Sequence, residues 1–244
     1  MIKELFYTIL FNPLYNLLVY LIDVIPGADV GVAVMVLTII VKLILFPISK
    51  TAVRTQMKMK VIQEPLKEIQ EKYKDNREEQ ARKMLDLYKE HKINPLSSIV
   101  LMFIQIPVIL ALYWVFSKGG LPNINQDILY PFVGYPEVVN MHFLGLIDIS
   151  HTKVFIIAFF AALSQFFQAK FVIPKPPERK EGEAPSFKDD LARGMSMQMR
   201  YVLPLFTFFI SYFFIAVIGI YWTISNLFAI GQELYIRKSI RSKE

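Results

Sequence analysis

The chain contains no cysteine, and this absence removes several classes of site at once. Disulfide bonds, thiolate-bound zinc and iron–sulfur clusters all need cysteine. Only three histidines are present, and His91, His142 and His151 do not have the spacing of a metal site. The sequence also has no glycine-rich phosphate-binding loop and no serine, histidine and aspartate arrangement typical of a hydrolase. We therefore predict a protein that is not an enzyme, with no catalytic residue, no metal and no cofactor.

The apolar content of the chain is high. Of the 244 residues, 54% are apolar, and the mean hydropathy is +0.40. A soluble domain has about 45–50% apolar residues. The excess is concentrated in long runs, which indicates an all-α, multi-pass membrane protein. Its net charge of +6 fits the Lys/Arg-rich cytoplasmic loops of such proteins, so we expect no direct sequence-specific binding of nucleic acid.

Lysine and arginine are distributed unevenly, and this asymmetry predicts the topology. Between Lys50 and Lys92 there are twelve Lys/Arg and eight Asp/Glu, whereas the 118–150 loop is poor in Lys/Arg. The positive-inside rule places the 51–95 segment and the 174–199 loop in the cytoplasm and the 118–150 loop outside. The basic C-terminal tail is also placed inside. The nearly continuous apolar run between the second cytoplasmic loop and this tail must then cross twice, with about 18 residues for each span.

The predicted architecture is five transmembrane helices with a cytoplasmic helical hairpin, in the plasma (inner) membrane, with the N-terminus outside and the C-terminus inside. The segments are 1–29 (interfacial amphipathic helix and turn), 30–50 (span 1), 51–95 (hairpin), 96–117 (span 2), 118–150 (outer loop), 151–173 (span 3), 174–199 (cytoplasmic loop), 200–216 (span 4), 217–236 (span 5) and 237–244 (basic tail). Residues 5–22 remain ambiguous between an interfacial helix and a poor span, because Asn12-Pro13 interrupts them.

A single cation interrupts the first span. Lys42 lies about two thirds of the way along an otherwise apolar run, and Thr38 lies one helical turn before it, on the same face. A lysine inside a spanning helix costs about 2.5–3.5 kcal/mol on insertion scales. Either its long side chain reaches the near interface, or its ammonium faces a polar cavity within a helix bundle. The second interpretation makes Lys42 a functional residue.

The segment after this span has a different composition. Its apolar residues recur at helical spacing in two blocks, and Lys74-Asp75-Asn76 between them predicts a turn. This pattern predicts two antiparallel helices that project from the membrane. Their charges are explained by the solvated face of amphipathic helices, and a specific binding patch is the alternative.

Several motifs, taken together, resemble a known family. They are Gln63-Glu64-Pro65-Leu66-Lys67-Glu68-Ile69-Gln70-Glu71-Lys72-Tyr73, Met84-Leu85-Asp86-Leu87-Tyr88-Lys89, Ile93-Asn94-Pro95-Leu96, Ile104-Gln105-Ile106-Pro107, Ala111-Leu112-Tyr113-Trp114 and Ile220-Tyr221-Trp222-Thr223-Ile224-Ser225-Asn226 with Gln232. Their order and spacing closely resemble those of the YidC–Oxa family of membrane protein insertases. The similarity covers nearly the whole chain and is weakest in the two long loops.

The resemblance implies five spans around a hydrophilic groove, open to the cytoplasm and to lipid, that integrates newly made membrane proteins into the bilayer. The implied groove residues are Lys42, Thr38, Gln105, Gln165, Tyr221 and Trp222. The implied recruitment residues on the cytoplasmic hairpin are Pro65, Tyr73 and Tyr88. Nascent membrane proteins, the lipid bilayer, the ribosome and the general translocon are the implied partners.

Two departures from the family pattern stand out. Lys42 occupies the position where the family usually has an arginine, and lysine cannot form a bidentate pair with a carboxylate. Phe214-Ile215-Ala216-Val217 stands where the family often has a Phe-Pro-x-Gly turn between its last two spans. The large extracytoplasmic domain of some bacterial members and an evident cleavable signal peptide are also not expected in this chain.

Two other classes of function compete with insertion. A small-solute transporter or channel would also use a polar cavity, but such proteins usually have paired repeats and discontinuous helices. A purely structural assembly factor would differ from an insertase only in not using the groove cation. Failure of single-span proteins to integrate after depletion would favour the insertase, and altered solute uptake alone would favour the transporter.

Overall fold

The computed structural model describes residues 2–94, 96–117, 121–172, 194 and 196–241, with side chains except at 2–3, 96–105 and 240–241. The described chain is mostly helical, as predicted. Its helices are α1 (Ile2–Phe6), α2 (Asn12–Val24), α3 (Val30–Ile44), α4 (Phe46–Val61), α5 (Gln63–Lys72), α6 (Arg77–Glu90), α7 (Leu96–Ser117), α8 (Phe155–Val172), α9 (Leu203–Phe213) and α10 (Ala216–Arg241). A hairpin of β1 (His142–Phe143) and β2 (Ile147–Asp148) is the only sheet in this part of the chain.

The chain divides into two compact units. The first contains Met1–Lys42 and Ile109–Leu234, and the second contains Leu43–Val108 and Tyr235–Glu244. The first unit therefore holds α1, α2, most of α3, the end of α7, the outer-loop segment, α8, α9 and most of α10. The second holds α4 to α6 and the first part of α7.

Two described helices are long and apolar enough to cross a membrane. They are Phe155–Val172, with 18 residues, and Glu4–Val24, with 21 residues, in which a π-helical turn at Tyr7–Phe11 joins α1 to α2. The pair α3 and α4, interrupted at Leu45, adds a third if it is counted as one span. Length and composition thus permit residues 4–24 to span, and the interfacial placement predicted for this segment stays a prediction.

The predicted outer loop is folded onto the N-terminal helices. Asn16, 2% exposed in α2, donates from Nδ2 to the Ile128 carbonyl at 2.9 Å and accepts from the Tyr130 amide at 2.6 Å. The Tyr15 hydroxyl accepts a bond from the Asn125 amide at 2.8 Å. Asn16 interrupts the apolar pattern of α2 because its side chain satisfies loop backbone groups that would otherwise be buried without partners.

The β-hairpin is attached to the first turn of α3. Asp29 accepts bonds from the amides of Val32 at 3.0 Å and Leu144 at 2.7 Å, so it caps α3 and holds the hairpin at once. The Val30 amide donates to the Asn140 carbonyl at 3.0 Å. Phe143 packs so closely on Gly31 that a Cβ at this position would overlap its ring. The start of α3 and the hairpin therefore form one packed element.

Helices α8, α9 and α10 pack together in the same unit. The rings of Phe155 and Phe208 lie 5.6 Å apart in an edge-on arrangement that joins α8 to α9. The chain breaks between α9 and α10 at Phe214, whose backbone is extended. This break falls within the Phe214-Ile215-Ala216-Val217 segment. Gly219, the one conventional turn residue nearby, instead lies inside α10, where its lack of a side chain allows close contact with Ile157.

The second unit contains the charged hairpin. Helices α5 and α6 are separated by a turn that ends at Asn76, whose side chain caps α6 by accepting from the Glu79 amide at 3.1 Å. Gln80 of α6 donates to the Gln70 carbonyl at 2.7 Å, which joins the two helices. At the base, Lys58 Nζ donates to the His91 carbonyl at 3.0 Å.

Candidate functional site

The two polar residues of α3 differ in their surroundings. Thr38 is 1% exposed, and its hydroxyl donates to the Val34 carbonyl of its own helix at 2.6 Å. Lys42 is half-buried in the last turn of α3. Since residues four apart lie on one helix face, these two side chains form a polar stripe in an otherwise apolar helix. The hydroxyl of Thr38 already donates to a carbonyl of its own helix, so it needs no other acceptor in the site.

Gln165 lies on α8 beside a second glutamine. Both Gln165 and Gln168 are half-buried, and Gln165 Nε2 donates to Gln168 Oε1 at 3.3 Å. The two amides therefore act as one polar group on this helix. The preference for Gln165 over Gln168 that the family resemblance implies stays a prediction.

Tyr221 and Trp222 lie in the first half of α10. Tyr221 is 2% exposed and its hydroxyl hydrogen-bonds the side chain of Ser225, one turn further along the helix. Trp222 is half-buried. The tyrosine therefore belongs to the interior of the first unit, while part of the indole surface of Trp222 is accessible.

A buried polar contact joins the helices that carry these residues. Asn226 Nδ2 of α10 donates to Ser164 Oγ of α8 at 3.1 Å, and Ser164 Oγ donates in turn to the Ala161 carbonyl at 2.8 Å. Ser164 precedes Gln165 directly, and Asn226 lies one turn after Trp222. This contact fixes the register of α8 against α10 at the level of the predicted groove residues.

The structure places five of the six predicted groove residues in the first unit: Thr38, Lys42, Gln165, Tyr221 and Trp222. Gln105 belongs to the second unit, and its side chain lies outside the described residues. Within the described residues, no cluster of three or more histidine, cysteine, aspartate or glutamate side chains could hold a metal ion.

The three predicted recruitment residues all belong to the second unit. Pro65 is exposed in the first turn of α5. Tyr73 follows the last residue of α5 and is half-buried, with Lys72 Nζ 5.7 Å from the centre of its ring. Tyr88 is half-buried in α6, where desolvation raises the pKa of its hydroxyl above the usual value. The exposed surface is thus mixed, with apolar rings beside charged groups.

Comparison with known proteins identifies the family. The family described as 60Kd inner membrane protein matches residues 20–243. The membrane protein insertase YidC of Francisella tularensis subsp. novicida (strain U112) is 31% identical over 208 residues, which cover 85% of this chain and 32% of that protein. The YidC proteins of F. tularensis subsp. tularensis (strain SCHU S4 / Schu 4) and subsp. holarctica (strain LVS) have the same identity and coverage. The chain belongs to the YidC–Oxa family.

This membership makes the chain a membrane protein, in agreement with its apolar helices. The chain spans about a third of the length of the curated YidC relatives that it matches.

In this YidC–Oxa family member, the buried polar residues Ser164, Asn226 and Glu233 lie on the helices of the predicted site but were not among the predicted site residues. Ser164 and Asn226 form the contact between α8 and α10, and Glu233 is 2% exposed in α10. Ser and Asn in apolar runs are visible in the sequence, but nothing in a single sequence indicates that they are partners. Glu233 interrupts the apolar residues near the end of the last span, and this interruption was the available signal.

Proposed function

We propose that this chain is a membrane protein insertase and chaperone that integrates hydrophobic segments of newly made proteins into the lipid bilayer. The proposal rests on one observation above the others: the 31% identity, over 85% of the chain, with proteins named membrane protein insertase YidC. The position of Lys42 in an apolar helix, half-buried and in the same unit as α8 and α10, supplies the physical basis for a mechanism.

In the proposed mechanism, Lys42 faces a groove whose other walls include Gln105, Gln165 and Trp222, while Thr38 and Tyr221 lie buried in the helices that carry Lys42 and Trp222. The short polar flank of a substrate enters the groove, where the ammonium attracts its acidic residues. The attraction between unit charges is stronger in a medium of lower effective dielectric than in bulk water. Lys42 acts by charge, without transferring a proton.

The hydrophobic segment of the substrate then moves sideways into lipid. Burial of about 20 apolar residues in the bilayer is favourable, so this step needs no nucleotide. The Ser164–Asn226 contact supports the mechanism, because it holds α8 and α10 in fixed register while the substrate passes. The cytoplasmic hairpin, with Pro65, Tyr73 and Tyr88, recruits the substrate, and the ribosome and general translocon are its proposed partners.

The test compares two single-span substrates that differ only in whether the translocated flank is acidic or neutral. Lys42→Ala should slow insertion of the acidic-flank substrate more than that of the neutral one, while Lys42→Arg should retain both rates because it preserves the charge. Insertion is measured in cells or proteoliposomes by protection of the flank from protease. Lys170→Ala, which removes an exposed lysine from the last turn of α8, is the matched control and should not discriminate between the substrates.

Equal rates for both substrates in the Lys42→Ala variant would contradict the role of the cation, provided that the variant accumulates normally. Depletion of the wild-type chain addresses the activity itself. Altered solute uptake with normal membrane protein integration would refute the insertase.

A further inference from the structure

The tip of the β-hairpin exposes two leucines. The antiparallel strands pair His142 with Asp148 and Phe143 with Ile147, and Leu144-Gly145-Leu146 connects them. Leu144 is 62% exposed and Leu146 is 83% exposed. Residues in water-exposed turns are commonly glycine, proline, asparagine, aspartate or serine, because these residues suit turn backbones or bond to them. A pair of exposed leucines at a turn is therefore a feature that needs an explanation.

The backbone of the tip makes this choice of residue more unusual. Leu144 has a φ of 52° and Gly145 a φ of 72°. Glycine adopts positive φ freely, and asparagine and aspartate tolerate it, whereas a branched apolar side chain does so rarely. The amide of Leu144 is held by Asp29 at 2.7 Å, so this conformation is fixed by the packed element at the start of α3. The structure thus holds an apolar side chain outward at a position that favours a polar residue or glycine.

The position of the hairpin along the chain places the tip near the end of the apolar helices. Phe143 contacts Gly31, in the first turn of α3, and α8 begins at Phe155, nine residues after Leu146. Phe155, the first residue of α8, is 62% exposed. The first turn of an apolar helix that enters a membrane lies at the level of the lipid headgroups. The hairpin that carries the tip is therefore packed against the end of α3 that lies at that level.

The charges around the tip indicate which partner it fits. Residues 121–150 contain Asp127, Glu137 and Asp148 and no lysine or arginine. At the base of the hairpin, bonds from the Ser150 hydroxyl and amide hold the pKa of Asp148 below its usual range, with smaller contributions from His151 and His142. The base is thus anionic and the tip apolar. Because residues 121–150 carry no lysine or arginine, they offer no strongly basic group to anionic headgroups, and we expect the tip to enter lipid through its leucines.

We propose that the Leu144–Leu146 tip inserts into the boundary between headgroups and acyl chains, in the leaflet where α3 begins, and anchors that end of α3. This inference goes beyond the proposed insertase activity, since it concerns the protein's own attachment to lipid. Apolar faces of interfacial segments are buried about 5–10 Å into this boundary.

Depth-dependent fluorescence quenching tests the anchor in the full chain. The chain has no native cysteine, so Leu146→Cys and Gln126→Cys variants each carry one polarity-sensitive fluorophore in vesicles of zwitterionic lipid. Gln126 is an exposed polar residue of the same loop and serves as the matched control. We expect blue-shifted emission at position 146, with quenching by bromine atoms on the upper acyl chain, and unshifted, unquenched emission at position 126.

A second variant separates lipid insertion from other contacts. Leu144→Asp, combined with the probe at position 146, should abolish the blue shift and the quenching. In the chain that keeps Leu144, adding anionic lipid to the vesicles should change neither signal. If the probe at position 146 showed unshifted emission in the chain that keeps Leu144, the proposal would be overturned. A shifted probe that lipid-attached bromine does not quench would also overturn it, because a second copy or another protein would then cover the tip.

Discussion

At the residue scale, some buried polar side chains in the described part of the chain have specific partners that a single sequence does not reveal. Asn16 bonds to backbone groups more than 110 residues away, and Asn226 bonds to Ser164, 62 residues away. In the sequence, each residue is only an interruption in an apolar run. Lys42 differs because a charge within an apolar run is costly and stands out in the sequence, so it could be singled out as a candidate functional residue.

The close contact at Gly219 allows a sharp test of packing. A Cβ at Gly219 would lie 2.6 Å from Ile157 Cγ2 and 3.3 Å from Ser211 Cβ, on α8 and α9. We expect Gly219→Ala to destabilise the protein by about 1–3 kcal/mol, since inserting a methyl group into a filled interior forces side chains or backbone to move. The midpoint of thermal unfolding in detergent should fall accordingly.

Gly231→Ala is the matched control for this prediction. Gly231 lies in the same helix, is exposed, and has no atom within 4 Å of the position that a Cβ would occupy. This substitution should be neutral or stabilise α10 by up to about 1 kcal/mol, because alanine favours helix more than glycine does. If both variants unfolded at the wild-type temperature, α8, α9 and α10 would not pack as described.

At the element scale, periodicity predicted helices well and long-range packing poorly. The helical spacing in residues 51–94 and the polar Lys74-Asp75-Asn76 segment anticipated α5, α6 and the turn between them, because these features depend on local sequence. The outer-loop segment was expected only as a loop, yet it folds onto α2 and α3 through Asn16 and Asp29. Its bonds join residues over 100 positions apart, and no local pattern encodes them.

The charged hairpin also permits a prediction about a whole element. The bond of Gln80 to Gln70 and that of Lys58 to His91 both lie within the second unit. If the hairpin recruits substrates, a variant lacking residues 65–89 should lose insertion while the spans still accumulate in the membrane. Pulse-labelled substrate in membranes measures insertion, and immunoblotting measures accumulation. Full activity in the shortened protein would show that the hairpin only keeps the cytoplasmic face soluble and does not recruit substrates.

At the scale of the whole molecule, length and composition identify fewer spans than charge asymmetry does. Among the described residues, two helices are long and apolar enough to cross a membrane, or three if the α3 and α4 pair counts as one span. The positive-inside rule predicts five spans. The difference arises partly because spans with polar interior residues are less apolar on average. In α10, for example, Tyr221, Asn226 and Glu233 lower the hydropathy although all three are buried.

The predicted topology can be tested because the chain has no native cysteine. Single cysteines at Lys74 and Gly182 should react with an impermeant reagent added on the cytoplasmic side, and one at Asn125 should react from the exterior. The reason is that lysine and arginine are retained on the cytoplasmic side during insertion. Gly182 lies outside the described residues. Asn125 and Lys74 are both exposed, so labelling is not limited by burial. Reaction of the Asn125 position from the cytoplasm would refute the five-span arrangement.

The same reagent distinguishes the two placements of the N-terminal helix. If residues 4–24 lie in the outer interface, a cysteine at Met1 reacts from outside, whereas a span would place it inside. The bonds of Asn16 and Tyr15 to the loop at residues 125–130 support the first outcome, because they hold the middle of α2 beside a loop predicted to be outside. A helix that crosses the bilayer would carry this contact within the membrane. Reactivity of the Met1 position from the cytoplasm alone would therefore show that residues 4–24 span, and the loop contact would then have to lie within the bilayer.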